Sequence, residues 1–212
     1  MAENPLKKKI HFYLQRSRRS VDSVSSNLQL DLWMYVEDGG TSHHPPLGPY
    51  IPKLEAIRPI QNTANHSVAL NIYLSRKSLN ITYIMGNITL KTQFDDTFWV
   101  DYNMASRSSM GGWKDNAYFL KCFNACSTAR SLMGNMWNSL TKAFNATNKC
   151  PVPAGTYISS GMNIYDVGDN NFPKTFFYGR YKVTVKVLNK NNDYVGGFIS
   201  FMNILRPWET DT

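Results

Sequence analysis

Three cysteines, four histidines and fifteen acidic side chains among 212 residues leave little material for several kinds of chemistry. No stretch approaches the roughly 18 apolar residues that a membrane-spanning helix requires. The chain also lacks a glycine-rich phosphate loop, a metal-ligand spacing and a G-x-S-x-G nucleophile turn. Asp95 and Asp96 are adjacent, so on a strand they would point to opposite faces; they read as a turn, not as a paired-carboxylate site. His11, His43, His44 and His66 stand in no recognisable catalytic setting, and the loop pair His43–His44 has no carboxylates around it to complete a metal site. A zinc site on the cysteines would want a fourth ligand. These absences point to a binding or structural protein without cofactor or metal, not to an enzyme.

The signals for compartment conflict. The basic N-terminus is followed by polar residues and shows no secretory leader. Yet four N-glycosylation sequons, at Asn65, Asn80, Asn87 and Asn145, belong to surface positions of a secreted glycoprotein. An odd cysteine count allows at most one internal disulfide. Cys122 and Cys126 lie four apart at an expected helix start, where a local bridge would strain the helix. Cys150 closing on one or the other would tie that helix to the following strand across a loop of about 25 residues, a constraint that the chain-entropy model counts as stabilising.

What the chain has in excess is positive charge: +8 net, with a pI of 9.4, which favours anionic partners. Much of it sits in "NPLKKKIHFYLQRSRRS". Asn4 and Pro5 read as an N-cap and first helical residue. Leu6, Ile10, Tyr13 and Leu14 then form one helical stripe, with Lys7, Lys8, Lys9, Arg16, Arg18 and Arg19 around it. A basic amphipathic helix is therefore expected, in an arm spanning residues 1–26 that ends in a polar linker. Such an arm would lie on an anionic membrane, contact nucleic-acid phosphates or dock on another copy of the chain.

The remainder, 27–212, reads as one domain built mainly of strands. Leu28, Leu30 and Leu32 alternate, a Pro- and Gly-rich loop follows, and "SVALNIYLS", "LNITYIMGNITLKTQF" and "DTFWVDYNMAS" form a meander with turns at "KSLN" and "FDD". Tyr181, Val183, Val185 and Val187 alternate with Lys182, Thr184 and Lys186, which gives one buried and one wet face. "NKNND" makes a hairpin turn into "YVGGFISFMNIL", which is apolar on both faces and so central or covered. One helix is expected near 124–144, with Ala125, Ala129, Leu132, Met133, Met136, Leu140 and Phe144 on its apolar face and Gly134 as a weak point. Met133 and Met136 suit ordinary core packing or adaptable contact with a flexible apolar ligand. The architecture expected is an all-β, two-sheet antiparallel β-sandwich with one internal α-helix and an N-terminal basic helical arm.

Taken together, a cysteine before the helix, "NKCPVPAGTYISSGMNI", "FPKTFFYGRYKVTVKVLNKNNDYVGGFISFMNI" and the upstream "GNIT" strand pair resemble the insect DUF1091 and CheB-like proteins. Those proteins are in turn similar to the GM2-activator and MD-2-related lipid-recognition group. The resemblance covers about Ser67 to Leu205. It implies a secreted, cup-like sandwich that holds a lipid or other apolar molecule, with Cys150 paired to Cys122 or Cys126 at the rim. It also implies that Phe98, Val100, Tyr102, Val183, Val185, Val187 and Phe201 line the cup, although these positions alternate as any sandwich core does. The basic arm, the unpaired cysteine and the many aromatics support a second expectation, a self-assembling structural protein such as a viral coat or occlusion protein.

Overall fold

The alternation around Val183 governs the architecture. In β12 (Gly179–Leu188), Tyr181, Val183, Val185 and Val187 are each at most 5% exposed, while Lys182, Thr184 and Lys186 face outward. The turn beyond is held by Asn189, whose Oδ1 accepts the N–H groups of Asn191 and Asp193, both at 2.9 Å. It leads into β13 (Tyr194–Leu205), which is paired on both edges, as its two apolar faces require.

The structure, a computed structural model, describes residues 10–16, 30–36, 47–60, 66–78, 81–165 and 169–209. The other strands are β1 (Ile10–Arg16), β2 (Leu30–Val36), β3 (Leu47–Pro49), β4 (Ile51–Pro59), β5 (Val68–Ser78), β6 (Ile81–Leu90), β7 (Trp99–Arg107), β8 (Trp113–Cys122), β9 (Gly155–Ile158), β10 (Met162–Asn163) and β11 (Thr175–Phe177). The larger sheet runs β2-β1-β8-β7-β12-β13-β4. In the smaller sheet β6 pairs with β5 on one edge and with β9 and β10 on the other; β3 and β11 form a separate two-stranded ladder. All pairings are antiparallel except β1 with β8, which is parallel. The all-β sandwich read from the sequence is thus present.

Several expectations are corrected. Residues 10–16 of the expected helical arm are a strand, because Ile10, Phe12 and Leu14 also fit period two and long-range partners on β2 and β8 take up the backbone. Arg16 is its last residue, and Leu6, Lys7, Lys8, Lys9, Arg18 and Arg19 lie outside the described residues. The proline-rich segment expected as a loop reaches into β3 and β4. Pro52 and Pro59 are tolerated there because β4 is an edge strand, where a missing N–H costs no ladder bond.

The expected meander is divided between sheets: β5 and β6 pair in the smaller one, whereas β7 crosses to the larger. The expected single helix is two, α1 (Ala125–Met133) and α2 (Asn135–Ala143). They break at Gly134, whose φ of 53° and ψ of −125° are open to glycine, and where a Cβ would lie 3.0 Å from the Asp169 carbonyl oxygen.

Candidate functional site

The two sheets do not pack evenly. β5 runs close against β4 and β13. At Gly196 the approach is so tight that a Cβ would fall inside the backbone carbonyl of Val68. Side chains from β7, β8 and β12, together with Val68 of the seam, pack in one cluster with α1, Trp137 of α2 and the aromatics around β11. The sandwich is closest along β5 and wider away from it, where α1 and Trp137 fill it; the end of α2 reaches the seam itself, with Ala143 and Phe144 packed against Ile57 and Ile72.

Three devices seat the helices there. Asn124 makes no side-chain cap, so Asp96 supplies one from the crossover between sheets: the N–H and Oγ of Ser127 donate to its two oxygens at 2.8 and 2.6 Å. The disulfide Cys126–Cys150 joins the first turn of α1 to the segment leading into β9. At the break, Asn135 N–H donates to Asp169 O at 2.9 Å and Asn171 N–H to Leu132 O at 2.8 Å. The adjacent carboxylates are thus structural: Asp95 accepts from the N–H and Oγ1 of Thr97 at 2.9 and 2.6 Å, and Thr97 holds its carboxyl below the usual range.

The interior is apolar and aromatic. Tyr118 stacks on Phe177 at 5.3 Å and meets Phe176 and Tyr181 at 5.5 and 5.7 Å. The Tyr181 hydroxyl donates to the Phe177 carbonyl at 3.0 Å, and burial raises its pKa and that of Tyr102. Cys122, 2% exposed, is the free cysteine. Burial first, then the charge of Asp101, pushes its thiol pKa up to about 12, so it is no nucleophile at neutral pH. No group of three or more His, Cys, Asp or Glu side chains suited to a metal occurs among the described residues, and His43 and His44 lie outside them.

Of the residues expected to line a cup, Phe98, Val100, Val183, Val185 and Val187 are buried in this one cluster, and Tyr102 and Met133 pack against it half-buried. Met136 packs against a neighbouring cluster formed by Ile57, Ile72, Ala143, Phe144 and Met162. Phe201 stands apart, on the outer face of β13, with its ring 5.8 Å from that of Trp113. Sequence reasoning passed over Tyr118 and Leu120, which bring β8 to the same interior. Their alternation with Cys122 was a usable signal, masked upstream where Asn116 leaves the strand conformation at φ 56°.

Among the sequons, Asn145 is exposed just past α2, in a left-handed turn at φ 50°. Asn87 is half-buried in β6, and its Oδ1 accepts from Asn71 Nδ2 at 3.3 Å. Asn65 and Asn80 lie outside the described residues.

These features define an all-β sandwich whose interior is closed by a disulfide-anchored helix pair. Residues 100–183 match the model of the DUF1091 family, described as a protein of unknown function, so this part of the chain is similar to that family. The match bears out the DUF1091 resemblance and runs from β7 through both helices and the disulfide into β12. No curated protein matches the chain.

Proposed function

We propose that this protein is a non-enzymatic binder of an apolar molecule, a lipid or similar, taken up at the wide side of the sandwich beneath the helix pair. The observation that supports this reading is the uneven approach of the sheets, close along β5, with flexible Met104, Met133 and Met202 packed against the interior cluster that α1 and Trp137 cover. Room for a ligand comes from movement of these side chains and of the helices about the Gly134 break. Phe98, Val100, Tyr102, Met133, Val183, Val185 and Val187 then line the site, and Met136 borders it. Burying about 300 Å² of ligand surface supplies about 7 kcal/mol before the costs of ordering, enough for useful affinity without directional contacts. The disulfide and the exposed sequon at Asn145 favour secretion into an oxidising compartment.

Native mass spectrometry of protein secreted from eukaryotic cells tests this reading. A dissociable apolar ligand is expected, together with displacement of an environment-sensitive acyl probe. Met133→Trp, which fills the wide side, should abolish uptake while the protein stays folded. Protein free of ligand, with no probe uptake by the unaltered chain, would refute the proposal. The same spectrum reads self-association directly.

A further inference from the structure

The outer face of the seven-stranded sheet, opposite the helices, carries a row of alternating cations and rings that runs across the strands. Arg58 of β4 lies over the Phe201 ring of β13 at 5.5 Å, and Phe201 meets Trp113 of β8 at 5.8 Å. Over Trp113 lie Lys182 of β12 at 5.8 Å and Arg107 of β7 at 5.4 Å. Ala105, which the register places beside Lys182 under this layer, is only 2% exposed.

From this row we propose that the face binds a linear polysaccharide carrying sulfate groups. The ring contacts hold the cations in place before any partner arrives, so binding costs them less rotamer freedom. Lys182 has one carboxylate partner, Asp115 at 3.3 Å, whose side chain is 70% exposed. Among the described residues Arg58 and Arg107 have none, and a guanidinium pairs with tetrahedral oxyanions through two parallel N–H bonds.

The three cations span three strand spacings, about 14 Å, which suits a repeating polyanion better than one small ion. Single-stranded nucleic acid fits less well, because stacking a base needs a free ring face, and here both rings are half-buried and engaged by cations. A bilayer fits less well too, since the apolar rings of the row, Phe201 and Trp113, are half-buried and engaged by cations. The proposal is independent of the apolar-ligand reading.

The test is calorimetric titration of the full chain, at physiological salt, with a size-defined heparin oligosaccharide and with its desulfated form. Arg58→Ser, Arg107→Ser and Lys182→Ser combined should weaken binding about tenfold or more. Lys142→Ser, Lys149→Ser and Lys174→Ser combined remove as many charges from exposed positions outside the row and should change it less than about threefold. The desulfated form should not bind. Melting curves check that both variants fold; if the row variant does not, Arg58→Ser and Arg107→Ser are measured singly and each should weaken binding. Equal losses in the two triple variants would reduce the effect to net charge and overturn the proposal. Tighter binding to single-stranded DNA or to phosphatidylserine vesicles than to the oligosaccharide would overturn it as well.

Discussion

Replacing both Cys126 and Cys150 with alanine removes the tie between α1 and the segment leading into β9. The two cysteines are 24 residues apart, and in the chain-entropy model releasing a loop of about 25 residues from the unfolded ensemble costs about 3.5 kcal/mol. Cys126 is fully buried, so losing its sulfur adds a small packing cost to the entropic one. For a chain of this size about 3.5 kcal/mol corresponds to a fall in melting temperature of about 7–14 °C. Thermal unfolding followed by circular dichroism, with and without the substitutions, measures it. Adding a reductant to the unaltered protein should lower the midpoint similarly, while leaving the double variant unmoved. A double variant that melts within about 2 °C of the unaltered protein would show that the bridge does not constrain the unfolded chain.

Three further outcomes are expected. Gly196→Ala places a methyl group inside the Val68 carbonyl, so β5 must move off β13; a loss of at least about 3 kcal/mol is expected in chemical denaturation, and an unchanged midpoint would remove the tight seam. Asp96→Ala deletes the remote cap of α1 and should cost about 1 kcal/mol, with Asp96→Asn recovering part of it, both read from denaturation midpoints. Stability should fall in alkali: the folded pKa of Cys122, up to about 12 from 9.0, exceeds the unfolded one. Its contribution is therefore whole below about pH 9 and lost as pH rises toward 12, because the unfolded chain releases the proton first. Cys122→Ala should flatten that decline in melting temperature, and the native thiol should resist a thiol reagent at pH 8 that reacts readily after unfolding.

Short-range patterns carried much of the fold. The alternation from Tyr181 to Val187, the Asn-rich turn after it and the helical spacing from Ala125 to Phe144 depend on neighbours in sequence, and each appears in the structure as an element of the expected type. What local pattern could not supply was partnership. Ile10 and Leu14 satisfy a helical stripe as well as a strand, and only pairing with β2 and β8 separates the two. Leu54 and Ile57 lie between prolines that argue against a strand, until β13 is seen along one edge of β4. The interior was half legible for the same reason: Val183 and Val185 announce themselves, whereas Trp137 and Phe176 become neighbours of that face only through the tertiary fold. Phe201 shows the limit, since in a strand apolar on both faces nothing local says which face turns inward.

The order of strands in the larger sheet also bears on how the chain is made. β4 near the start of the described chain pairs its backbone with β13, so that Ile51 waits for Leu205. β12, the centre of the hydrophobic face, likewise needs β7 before it and β13 after it. A nascent chain leaving the ribosome can form the β5–β6 hairpin early. Its largest apolar surface stays uncovered until β13 has emerged, since pairings so distant in sequence close late. The folding of this domain is thereby tied to completion of β13, and a chain that stalls short of Tyr194 keeps its hydrophobic centre open.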